Sequence, residues 1–391
     1  MSFFTLIWLV LCPNYCFMHI QRLLIAAIKK RIGQQKVLLL YGTRRAGKTV
    51  ILQQLFKQYE AQSLFLNGED MEDQEKLAKR TTANYKKLAG SKKLILIDES
   101  QNIPEVGKAL KLLIDSVPGI TVIASGSSSF DLSNKTGEPL VGRSYTYHLF
   151  PIAQGELKED DVTAIRHLDE RLVYGSYPEL WHLQNEDEKQ SYLKNLVQGY
   201  LLKDIFIFRE IRNSEKILQL LKLLAFQIGN EVSLNEMSNQ LGIHKTTVEH
   251  YLDLLSKVFI VYSLGGYGGN LRKEVVKTRK WYFYDNGIRN AIIGDFRPLQ
   301  SRNDGGVLWE QYFLSERQKF TGYKQLTPEY YFWRTYDQQE IDLIEIQGKK
   351  LMAFETKWGR AKARIPGGFA KNYPGAIFQI INRDNYLEWI S

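Results

Sequence analysis

Cysteine is almost absent from this sequence. The two that occur, Cys12 and Cys16, lie in its first segment, so nothing after His19 can form a disulfide, a usage that points to the cytoplasm. Long hydrophobic runs are missing as well. The apolar opening, residues 3–12, has about half of the ~20 residues a spanning helix needs, and no Lys or Arg precedes it as in a signal peptide. No stable membrane insertion is expected. Met18, followed at once by an amphipathic stretch over 19–32, is a natural alternative start, so residues 1–17 are set aside as a non-structural extension. Proline is scarce, and neither internal repeats nor low-complexity tracts occur, so nothing marks the chain as fibrous, disordered or polytopic in membranes.

What is abundant is basic charge. The 52 Lys and Arg against 43 Asp and Glu leave a net charge of +9 and favour acidic partners, DNA first among them, because clustered cations release counterions from phosphate. A merely solvated basic surface is the alternative. At 391 residues the chain is too long for one ordinary core, and two or three domains are expected.

From 36 to 149, short apolar runs alternate with helical stretches, the pattern of a parallel sheet covered on both faces. Strands are expected at 36–41, 63–66, 94–97, 120–124 and 145–149. The first runs into Gly42, Thr43, Arg44, Arg45, Ala46, Gly47, Lys48 and Thr49 and then into a helix, a P-loop in its required strand–loop–helix context. Glycines let the backbone amides and the helix N-terminus face phosphates, so these eight residues are expected to bind ATP. Lys48 would reach the β/γ-phosphates and Thr49 would ligate Mg²⁺.

Fifty residues on, an apolar run ends in Asp98 and Glu99. Asp98 suits the Mg²⁺ shell and Glu99 the general base that polarises water; a helix N-cap is the rival reading. A strand between the P-loop and Asp98 places 120–124 beside the P-loop strand. The polar run at 125–128 then lies near the γ-phosphate, with Ser127 a candidate hydroxyl sensor or simply part of a loop. Arg143 is a candidate arginine finger, in cis or from a neighbouring subunit of a ring or dimer, or else a structural arginine.

Residues 185–229 read as a helical connector. Residues 230–300 read as helix, turn, helix and a two-stranded ribbon, a winged helix, with Lys245, Thr246 and Thr247 opening the second helix and Lys257, Arg272, Lys273, Lys277, Arg279 and Lys280 adding charge for DNA. Packing or lid roles compete with that reading. The last ninety residues are expected to form a separate α/β unit.

The runs VLLLYGTRRAGKT, LILIDESQN, IASGSSS and GRSYTYHLFPI, with the segments at 175–178 and 282–287, resemble the bacterial and archaeal AAA-type ATPases that carry a conserved C-terminal domain. The similarity extends from about Met18 to the C-terminus. It implies an α/β protein with a P-loop AAA-like core over 18–184, a winged-helix segment over 230–300 and a restriction-endonuclease-like region over 301–391. Glu310, Asp342, Glu355 and Lys357 resemble the E…D…ExK pattern of that nuclease fold; Asp342 and Glu355 would hold a metal ion, although paired acids on a solvated hairpin are also common. The expected function is an ATP-driven, Mg²⁺-dependent switch associated with DNA. A nucleotide-regulated DNA endonuclease and a non-hydrolysing ATP-binding module are the alternatives.

Overall fold

A computed structural model describes residues 20–126, 140–201, 214–268, 279–359 and 364–391. Residues 1–17, expected to be a non-structural extension, lie outside the described residues, as do Ser127, Arg272, Lys273 and Lys277.

The first layer forms as expected. After helix α1 (Leu24–Lys29) come β1 (Val37–Gly42), α2 (Lys48–Gln58), β2 (Ser63–Asn67), α3 (Met71–Ala78), α4 (Thr82–Ala89), β3 (Leu94–Asp98), α5 (Val106–Ser116), β4 (Thr121–Gly126) and β5 (Ser144–Leu149). The strands pair in parallel in the order β2-β3-β4-β1-β5. β1, β3 and β4 are buried along their whole length, which is why they read as unbroken apolar runs. Period-two alternation splits them between two cores. Val37, Leu39, Tyr41, Ile95, Ile97 and Val122 face the α5 side, whereas Leu38, Leu40, Leu94, Leu96 and Ile123 face Ile51, Leu52 and Leu55 of α2.

The rest of the chain is more continuous. It comprises α6 (Asp161–Tyr174), α7 (Glu186–Asn195), α8 (Ser214–Phe226), β6 (Glu231–Val232), α9 (Leu234–Leu241), α10 (Lys245–Lys257), β7 (Val261–Gly266), β8 (Arg279–Phe283), α11 (Asn286–Ile293), α12 (Gly305–Tyr323), β9 (Glu329–Arg334), β10 (Glu340–Gln347), β11 (Lys350–Thr356), α13 (Gly367–Asn372), β12 (Ile377–Ile381) and α14 (Leu387–Ile390). One core runs from Leu168 on α6 to Ile390 on α14. Helix α8, expected within a connector, buries Leu220, Leu221 and Leu224 in the same core as Val232, Met237 and Leu241.

The last ninety residues, expected to form a separate α/β unit, share a sheet with the segment before them. β7 pairs in parallel with β9 (Gly265↔Tyr331, Gly266↔Phe332), so the expected two-stranded ribbon belongs to a seven-stranded sheet of order β12-β11-β10-β9-β7-β8-β6. Alternation marks a strand but says nothing of which edge it extends, and that is where the sequence reading stopped short.

The segments at 175–178 and 282–287 turn out to be two halves of one joint. Asp285 accepts from the Ser176 amide (2.7 Å) and caps α11 through the Ile288 amide (3.1 Å). Asn290 donates to the carbonyls of Leu172 (3.1 Å) and Val173 (2.8 Å), closing the C-terminal end of α6. The helices approach so closely that a Cβ on Gly287 would sit 1.9 Å from the Tyr174 carbonyl oxygen. Gly287→Ala is therefore expected to lower unfolding free energy by about 3 kcal/mol or more in urea titration; an unchanged midpoint would refute the joint.

Candidate functional site

The nucleotide loop is shaped by a close approach of backbone. β1 ends against β5 so tightly that a Cβ on Gly42 would lie 2.1 Å from the Leu149 carbonyl oxygen. Gly47, at φ 100, opens α2 in a left-handed conformation that side chains rarely adopt. Lys48, only 5% exposed, turns its ammonium back to the Gly42 and Thr43 carbonyls, 2.9 Å each. Thr43 Oγ1 is buried in the same loop without a hydrogen-bond partner. Thr49 is exposed in the first turn of α2, which carries no acidic residue. A helix N-terminus, a lysine and an orphaned hydroxyl suit a phosphate group.

Leu39, Ala124 and Ile97 lie side by side across β1, β4 and β3. Gly42 and Asp98 consequently emerge at the same sheet edge, with one strand between them and about 10 Å across. Asp98 is buried and accepts from Ser125 Oγ, which in turn accepts from the Glu99 amide at 3.2 Å. Glu99 is left-handed at φ 47, and its carboxylate is held by Gln101 Nε2. The donor set fits magnesium: an exposed hydroxyl at Thr49 and a carboxylate oriented at Asp98.

Arg143 requires a correction. Its carbonyl accepts from the Val37 amide, and its guanidinium holds Asp115 at 2.9 Å. Both contacts are at the start of β1, five residues and about 17 Å from Gly42. The expected role in cis is therefore ruled out, because a strand separates Arg143 from the loop by more than an arginine can reach.

A second group of charges assembles on the seven-stranded sheet. The register Leu343↔Phe354, continued by one residue, sets Asp342 opposite Glu355. Asp342 Oδ2 accepts from the Thr356 amide and hydroxyl, 2.7 Å each, and Lys357 donates to Glu355 Oε1 at 2.6 Å. Glu355 Oε2 is buried without a partner. Glu310 on α12 accepts from the Tyr282 hydroxyl at 2.7 Å. Burial, then the nearby Asp342 charge, pushes the Glu310 carboxyl up to about 8 and Glu355 up to about 7; burial also raises Asp342. Among the described residues, no three His, Cys, Asp or Glu side chains are grouped closely enough to hold a metal ion.

Residues 34–158 match the family model described as an AAA domain, and two models described as domains of unknown function, DUF8612 and DUF4143, match 165–298 and 305–377. The chain contains an AAA-type P-loop ATPase domain. Relatives of the whole chain include an uncharacterized protein of Mycobacterium tuberculosis, 26% identical over 88% of this chain and 75% of that protein. Another, from Methanocaldococcus jannaschii, is 25% identical over 75% of this chain and 69% of that protein. Two solved structures match at low TM-scores. A RuvB variant of Thermotoga maritima is 14% identical and covers 61% of this chain and 86% of that one at a TM-score of 0.28. Pif1 helicase from Candida albicans is 15% identical and covers 46% and 49% at 0.26. Scores this low carry no argument about the chain.

The AAA domain supplies only one of the two charge groups, and both groups include residues whose roles there the sequence does not mark. Ser125, within the polar run at 125–128, orients Asp98, whereas Ser127, the expected sensor, lies outside the described residues. Lys280, expected to add charge for DNA, is instead 1% exposed and paired with Glu340; with Tyr282 it reaches the acidic group from β8, near Glu310 and Asp342. A lysine and a tyrosine alternating into an apolar strand were the available signal.

Raising the folded-state pKa of Glu310 from 4.5 to about 8 makes its contribution to stability complete below the ordinary value and lost as pH rises through about 8. Glu310→Gln keeps an acceptor for Tyr282 and removes that loss. The variant should melt a few degrees above wild type at pH 9 and show no gain at pH 4 by differential scanning fluorimetry. Parallel pH profiles would contradict the burial of this carboxylate.

Proposed function

We propose that the AAA domain binds and hydrolyses ATP with Mg²⁺ and works as a switch on the elements that follow it. The observation that carries this reading is the shared sheet edge, where the P-loop with Lys48 and the oriented Asp98 emerge one strand apart. Gly42, Thr43, Arg44, Arg45, Ala46 and Gly47 would wrap the phosphates, and Lys48 would exchange its carbonyl contacts for the β/γ-phosphates. Thr49 and Asp98 would hold Mg²⁺, which neutralises charge on the phosphoryl oxygens. Glu99 would polarise the attacking water, with Gln101 limiting its rotation. Ser127 is kept as a γ-phosphate sensor. Arg143 is kept only as a finger reaching a neighbouring copy.

Lys48→Ala should weaken ATP binding by about two orders of magnitude in isothermal titration. Glu99→Gln should retain binding while phosphate release falls about 100-fold or more. Equal turnover in Glu99→Gln would remove the catalytic assignment, and wild-type binding without turnover would leave a non-hydrolysing module.

DNA is the proposed partner. The order α8, β6, α9, α10, β7, β8, with β6 and β7 flanking β8, supports a winged helix, and His244, Lys245 and Thr246 are exposed at the start of α10. A Lys245→Glu, Lys257→Glu double variant should bind duplex DNA about tenfold more weakly, with a shallower salt dependence.

A second reading, a metal-dependent DNA endonuclease regulated by nucleotide, is favoured by one observation. Asp342 and Glu355 face each other with raised pKa values and an unpartnered buried oxygen, the charge crowding that a cation would relieve. Plasmid incubated with Mg²⁺ or Mn²⁺ should then be nicked by wild type and left intact by Asp342→Ala and Glu355→Ala. Nicking that survives both changes would eliminate this site.

A further inference from the structure

The guanidinium of Arg22, 6% exposed, joins four parts of the chain. Nη1 donates to the Ala46 carbonyl in the P-loop (2.5 Å) and Nε to Glu156 (3.0 Å), while Nη2 donates to the Phe150 carbonyl (2.7 Å) and to the hydroxyl of Tyr323 (3.1 Å). Glu156 is fully spoken for, accepting also from the amides of Leu23 and Ala153. The Tyr323 hydroxyl also accepts from the Phe150 amide at 3.3 Å. Tyr323 is the last residue of α12, the helix that carries Glu310 about 20 Å away.

We propose that Arg22 positions the P-loop for nucleotide and that Tyr323 makes the end of α12 a working part of that site, so that ATP binding and the order of α12 depend on each other. The physical route is short. A trans peptide points its C=O and N–H in opposite directions, so holding the Ala46 carbonyl against Arg22 directs the Gly47 amide away from the guanidinium, where phosphate can accept it. The Tyr323 hydroxyl fixes the guanidinium plane in which that contact is made. Coupling between two sites acts in both directions, so nucleotide that orders the loop must also order the last turn of α12.

This inference rests on the ATP-binding reading, and the experiment separates the two. ATP affinity with Mg²⁺ is measured for wild type, Tyr323→Phe, Arg22→Lys and the double variant, together with amide hydrogen exchange over α12 with and without ATP. Tyr323→Phe removes one hydroxyl while keeping the ring against Phe150, so folding should persist. It should weaken ATP binding about fivefold to tenfold. Adding it to Arg22→Lys should cost less than in wild type, because the two side chains act as one unit. ATP should slow exchange in the last turn of α12 in wild type and not in Tyr323→Phe, a response that a purely structural contact does not give. Wild-type ATP affinity in Tyr323→Phe, or exchange in α12 indifferent to ATP, overturns the inference alone. Absence of ATP binding by wild type overturns the underlying reading and takes the inference with it.

Discussion

β4 pairs in parallel with β1 on one side and β3 on the other, and the arrangement of the nucleotide site follows from that pairing. Parallel strands connected by helices must all end at the same edge. The loop after β1 and the acids after β3 are thus brought together from positions fifty residues apart. The same geometry sends the start of β1, and Arg143 with it, to the opposite edge. Ser125 completes the construction as a side chain of the intervening strand, holding Asp98 in place from β4.

Helix α12 is the second organising element. Gln311 accepts from the Phe283 amide, Glu316 from the Gln154 amide, and Arg317 forks onto Glu345 of β10. It therefore bonds to the AAA domain, the middle segment and the C-terminal sheet along a single rod. Glu316 and Lys319, both nearly inaccessible, pair with each other at 2.7 Å, so each of these two buried charges has a partner. Family matches change identity between 298 and 305, yet sheet and core run through that point without a break.

The acidic group shows what burial does when pairing is incomplete. Lys280, Lys357 and Tyr282 offset part of the repulsion, but Glu310 and Glu355 still hold protons more tightly than ordinary carboxylates. The antiparallel pairing of β10 with β11 sets Asp342 opposite Glu355, with Lys357 bonded to Glu355. The contributions of β8 arrive from another stretch of chain through the β7–β9 pairing.

The sequence by itself determined the local matters: the strand, loop and helix around Lys48 and the buried strands with their unbroken apolar runs. Each depends on periodicity, glycine placement or short spacing, which neighbouring residues specify on their own. Only the tertiary structure decided that the C-terminal strands extend the middle segment's sheet, that Arg143 stands far from the P-loop, and that Arg22 meets Tyr323 from 301 positions away. Those outcomes depend on which strand edges and buried donors find one another once the chain is compact, and no local pattern encodes the choice of partner.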